Sequence, residues 1–102
     1  MATPGGQFAF ATPVAPVNST VTSGGVAVVV FAAATIPHVA DIVNPVTASS
    51  VLYVDVLNVA SAGTATSIPL QAGQSYRVSQ PLSTAVTAVA ADGGHAFVAV
   101  AY

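Results

Sequence analysis

The sequence predicts an all-β protein: a small antiparallel β-sandwich or barrel of about seven short strands, preceded by an extended N-terminal arm. Three observations carry this reading. β-Branched residues dominate from Val26 onward, turn signals recur at short intervals, and no stretch sustains apolar residues at i, i+3, i+4 and i+7. The length of 102 residues suits one domain.

Residues 1–25 form the arm and residues 26–102 the sandwich domain. The arm holds Pro4, Pro13 and Pro16 and four glycines. Proline fixes φ and pushes the residue before it into extended conformations. Phe8 and Phe10 lie two apart, on one side of an extended chain, and are expected to dock on a neighbouring surface or subunit. Val26–Thr35 is the first strand, ended by Pro37, with Ala32–Ala34 the one place where a helical turn could intrude. His38–Val43 follows and closes at Asn44-Pro45. Val51–Ala60 reads as the clearest strand, with Val51, Tyr53, Asp55, Leu57 and Val59 on one face and mostly apolar residues on the other. Ser61-Ala62-Gly63-Thr64 turns the chain. Thr66–Gln71 and Gln74–Gln80 flank Ala72-Gly73, a hairpin or tight-turn signal. Thr84–Ala91 and His95–Tyr102 flank Asp92-Gly93-Gly94, whose residues accept the positive φ of a twist-matching hairpin. Two Gly-Gly turns, at Gly24-Gly25 and Gly93-Gly94, give the chain a faint internal echo.

Charge is the most unusual property. Only Asp41, Asp55, Arg77 and Asp92 carry one, while alanine and valine fill 40 positions. About a quarter of an ordinary domain is charged, and those groups keep its free surface wet and repulsive. Much of this exterior is therefore expected to be covered in the working state, in a homo-oligomer or against a partner. One arginine cannot neutralise a phosphate backbone, so nucleic-acid binding is excluded, and an anionic membrane surface with it. The longest mainly apolar run, Val26 to Ile36, is too short to span a bilayer as a helix. No Lys or Arg precedes Val30, so no signal peptide is expected. Without cysteine there is neither a disulfide framework nor a thiolate site.

The inventory of chemical groups is thin. His38 and Asp41, three apart on a strand, face opposite ways and make no metal site. His95 stands beside Asp92 across a turn, where capping or hydrogen bonding is its expected role. No Gly-x-Ser-x-Gly elbow and no lysine-bearing phosphate loop is present. No enzyme activity, cofactor or metal is expected. Arg77, the only cation besides histidine, is expected to pair with Asp41, Asp55 or a neighbour's carbonyls. Asp55, in an apolar strand, needs a partner if buried, so Arg77 and Asp55 are marked as an ion pair or interface. Tyr53, Tyr76 and Tyr102 are candidate ligand or interface aromatics.

The second half joins an apolar strand (Val51–Ala60) to Ile68-Pro69-Leu70-Gln71-Ala72-Gly73-Gln74-Ser75-Tyr76-Arg77-Val78. Ala85–Ala91 and a Gly-Gly turn into His95-Ala96-Phe97-Val98-Ala99-Val100 follow. Over about residues 48–102 this resembles the small β-sandwich structural proteins of tailed bacteriophage virions, capsid decoration proteins in particular. The resemblance implies a cementing subunit on the virion surface, often trimeric, bound to the major capsid protein or another virion protein, with no active site. The competing expectation is a glycan- or receptor-binding sandwich of a fibre or cell surface.

Overall fold

The computed structural model describes residues 12–62 and 65–102. Among them are nine short antiparallel strands and no helix: β1 (Thr20–Val21), β2 (Val28–Phe31), β3 (Ala40–Val43), β4 (Leu52–Asp55), β5 (Ile68–Leu70), β6 (Ser75–Val78), β7 (Val86–Ala90), β8 (His95–Ala96) and β9 (Val98–Ala101). Each of the seven expected strands is present in shortened form. The count rises because the arm supplies β1 and because Phe97 splits the last strand in two.

The strands pair as a four-stranded sheet β2–β7–β4–β5, a three-stranded sheet β6–β3–β9 and a ribbon β1–β8. The ribbon continues the three-stranded sheet along its edge. Val14 bridges Ala101, and the Phe97 N–H donates to the Ser19 carbonyl at 2.9 Å. With β8 and β9 taken as one bent strand, the layers read β1–β8/β9–β3–β6 and β2–β7–β4–β5. That is the strand order of a jelly roll, two Greek keys wrapped into a sandwich. Successive strands change layer at every step except β4 to β5.

The core fills the gap between layers. Val30, Phe31, Leu52, Val54, Leu70, Val86, Ala88 and Ala90 come from one side, and Val21, Ala40, Ile42, Val78, Ala99 and Ala101 from the other. Strand alternation puts Tyr53 and Asp55 on the outer face of β4, and Asp41 and Val43 on that of β3. β7 is buried on both faces. It is the central strand between β2 and β4, and the chain between β4 and β5 lies over its outer side.

Three expectations are corrected. The strand read as Val51–Ala60 stops at Asp55, because the Asp55 carboxylate accepts the backbone N–H groups of Leu57 and Asn58, both at 2.8 Å. Such a side-chain turn replaces the ladder and leaves Leu57 and Val59 exposed. The turn at Asp92-Gly93-Gly94 is tight, but it closes no hairpin: β7 already has β2 and β4 on its two edges, so β8 crosses to the other layer. Gln71–Gln74 likewise makes a tight turn, with Gly73 at φ 85°, that carries the chain from β5 across to β6. Finally, residue 25 marks a change of composition rather than a structural break. The Val17 N–H donates to Val30 at 2.8 Å, Gly25 to Ala90 at 2.8 Å, and β1 pairs with β8. Phe8 and Phe10 lie outside the described residues. At Ala32–Ala34 the chain makes a turn, with Ala34 at φ 61°.

Candidate functional site

One cluster of polar side chains lies at the end of the sandwich where the β3–β4 loop (residues 44–51) meets the β7–β8 turn. Asn44 is the keystone and is fully buried. Its N–H donates to Gln74 (2.9 Å) and its carbonyl accepts from Gly73 (2.7 Å), tying β3 to the β5–β6 turn. Its Nδ2 donates to the carbonyls of Ser50 (3.0 Å) and Leu70 (2.9 Å). Both amide protons being spent, Oδ1 is the atom 2.8 Å from His95 Nε2, so that nitrogen carries the ring proton.

The other face of the buried His95 ring meets a serine and a carboxylate. Nδ1 lies 3.1 Å from Ser50 Oγ and 3.5 Å from Asp92 Oδ1. Ser50 also hydrogen-bonds Asp92 Oδ1, and Ser49 donates to Oδ2 at 2.8 Å. The Ser50 and Ser49 hydroxyls outweigh partial burial and hold the Asp92 carboxyl down at about 2. The order of the chain is Asn44, His95, Ser50, Asp92. In a catalytic triad the histidine stands between nucleophile and acid; here the serine does. The geometry is that of a clamp between loop and turn, in keeping with the hydrogen-bonding role expected of His95.

Two clefts flank this clamp. The smaller, about 180 Å³, is bordered by Pro45, Thr47, Ser49, Asp92 and His95. The larger, about 480 Å³ and mainly apolar, opens on the outer face of the four-stranded layer between Gly25, Ser50, Val51, Tyr53, Ala62 and Val89. Its floor is the cross-strand pair Tyr53 and Val89.

The marked residues do not converge. Tyr53 borders the large cleft, Tyr76 packs half-buried against the core from β6, and Tyr102 is exposed at the opposite end, where its carbonyl accepts from His38 at 2.7 Å. Arg77 does pair, but with Asp41 rather than Asp55: Nε and Nη2 each reach a carboxylate oxygen at 2.8 Å. The reason is register, since Asp41 and Arg77 are direct cross-strand neighbours on one face, whereas Asp55 is in the other layer. The fork of hydrogen bonds from Arg77 lowers the Asp41 carboxyl and raises the guanidinium.

Asp55 solves its burial without a cation. Leu57 and Asn58 donate to Oδ1, while Thr66 (2.6 Å) and Ser67 (3.0 Å) donate hydroxyls to Oδ2. Burial pushes this carboxyl up, but the donors from Thr66, Asn58, Leu57 and Ser67 together pull it to about 2. Asn44, Ser49 and Ser50 were missed as site residues. Asn44-Pro45 reads as a strand terminator, and the one signal that could find them is that a histidine, once buried, needs hydrogen-bond partners.

Among the described residues, no three His, Cys, Asp or Glu side chains come together as a metal-binding group. Comparison with known proteins gives no match to a family model, a curated protein or a solved structure.

Proposed function

We propose that the chain is a non-enzymatic structural subunit of a virion, a capsid decoration or cementing protein that binds the shell lattice and associates with its own copies, as trimers by preference. One observation carries the reading: the few charges are paired or hydrogen-bonded within the fold, and large apolar side chains stand exposed on a surface that is otherwise mostly uncharged Ser, Thr and Gln. Asp41 is joined to Arg77, Asp92 is bound by two serines, and Asp55 is buried. Meanwhile Val46 is 81% exposed, Leu57 and Val59 are each 68% and Val17 is 64%. Single exposed valines are ordinary. On a surface without opposing charge they form an exterior that gains about 25 cal/mol per Å² when covered. Repetition over a lattice multiplies that gain, and low charge keeps the contacts insensitive to salt.

The alternative is a glycan-binding module, favoured by Tyr53 at the rim of the large cleft beside Ser50. Against it, the Ser50 hydroxyl is already engaged by Asp92 and His95, and no carboxylate borders that cleft. Jelly rolls serve both purposes, so the fold does not choose. Co-sedimentation with shells of the accompanying major capsid protein tests the proposal. Saturable binding that persists in high salt is expected. Protein left in the supernatant at every concentration would refute it.

A further inference from the structure

We propose that the large cleft is the receptor for the N-terminal arm of a second copy, which enters through Phe8 and Phe10. The proposal rests on the self-association in the functional reading, but not on the shell.

The cleft is the right kind of receptor. It is about 480 Å³, open on one side, and its walls are Val51, Tyr53, Ala62 and Val89 with Gly25 at the rim. It lies on the outer face of the four-stranded layer, with Ala62 of the β4–β5 connection forming one wall and Gly25 and Ala91 the opposite end. Phe8 and Phe10 are the only large apolar side chains in residues 2–11 and share one side when that segment is extended. A phenylalanine buries roughly 150–250 Å² when enclosed, and stacking against a tyrosine ring adds to that.

Chain length decides between a copy's own cleft and its neighbour's. The arm joins the sandwich where Val14 bridges Ala101, at the end bearing Tyr102. The cleft is near the other end, beside Gly25 and Ala91. From Ala101 back to His95 the strand runs about 20 Å, and the facing layer is about 10 Å further. Phe10 is two residues and Phe8 four residues beyond Thr12, so a fully extended chain carries them at most roughly 7 and 14 Å. Neither reaches the cleft of its own copy. A neighbour placed end to end brings its cleft within range.

Arm and cleft sit at opposite ends, so the contact is head-to-tail. Such an interface either closes into a ring or runs on as a filament. A ring of three satisfies every arm and every cleft, and it buries the two phenylalanines of each copy.

The chain has no cysteine, so directed cross-linking is clean. Phe10→Cys and Ala62→Cys variants are mixed without any capsid protein and oxidised mildly, and the products are resolved on a non-reducing gel. The expected result is a rapid disulfide between the two different chains, at least tenfold faster than for Phe10→Cys mixed with Val98→Cys, whose partner site is exposed on the other layer. In a chain carrying both Phe10→Cys and Ala62→Cys, interchain products should dominate. Intrachain closure to a monomer, or equal rates for the Ala62 and Val98 partners, would overturn the proposal. Independently, Phe8→Ala with Phe10→Ala should weaken self-association at least tenfold in sedimentation without shifting the unfolding midpoint measured at concentrations where both proteins are monomeric. Unchanged association would count against the arm. A capsid-binding failure with successful cross-linking separates this proposal from the functional one.

Discussion

Asp55 shows how a carboxylate is kept ionised in a chain with almost no cations to offer. It is fully buried, and four donors from its own turn and from Thr66-Ser67 converge on it. Asp55→Ala strips two backbone N–H groups of their acceptor and should cost about 3 kcal/mol, read from urea unfolding; Asp55→Asn, which keeps one acceptor, should cost about half. The sign of its pH dependence follows from the lowered carboxyl. At about 2 folded against 3.8 for an unperturbed aspartate, its stabilisation is present above the unfolded value, full by about pH 5, and lost as pH falls through about 2. Urea midpoints should drop across that window, and less steeply in Asp55→Asn; Asp41 and Asp92, also lowered, supply the remaining slope. Arg77→Ala is the contrast. The pair it breaks is on the surface, so the loss should be small beside that of Asp55→Ala. At this scale the sequence announced that a buried Asp55 must have a partner and that Arg77 would be paired. It could not announce which partners, because these depend on strand register and on a turn that the acid itself builds.

Among the elements, the turns were easiest to locate and hardest to connect. Gly-Gly and Asp-Gly mark places where backbone must bend or approach closely, and they do so here. The two Gly-Gly segments, an echo in the sequence, turn out to lie against each other. A Cβ on Gly24 would collide with the Ala91 carbonyl oxygen, and one on Gly93 would stand 2.9 Å from that of Thr22. Gly25, by contrast, meets nothing within 4 Å and is constrained only by its φ of +74°. Gly24→Ala should therefore destabilise by about 3 kcal/mol and Gly25→Ala by about 1 kcal/mol, compared by thermal unfolding. Equal costs would mean that conformation, not close approach, governs the pair. Hairpin chemistry specifies a tight turn but not the partner of the next strand. That partner is settled by which edges are free, and β7 has none.

At the scale of the whole molecule, the jelly-roll order explains why an apolar, weakly charged chain can fold at all. Residues 12–21 run beside β8 and β9 and also reach β2, where Asn18 Nδ2 donates to the Val29 carbonyl at 2.8 Å, closing one side of the sandwich. The other side ends in β5 and β6, and Pro69 in the middle of β5 blunts that edge against indiscriminate pairing. The all-β class and all seven strand positions were legible, because alternation and turn residues are local signals. The layer assignments were not, because every connection but one crosses the sandwich. The composition made its own claim, that the exterior is built for contact. Sedimentation velocity of the purified chain, over a wide concentration range and at low and high salt, tests that claim most directly. The expected result is a discrete species near three times the 10.0 kDa chain mass, undiminished by salt. A monomer that stays soluble at every concentration and salt level would contradict it.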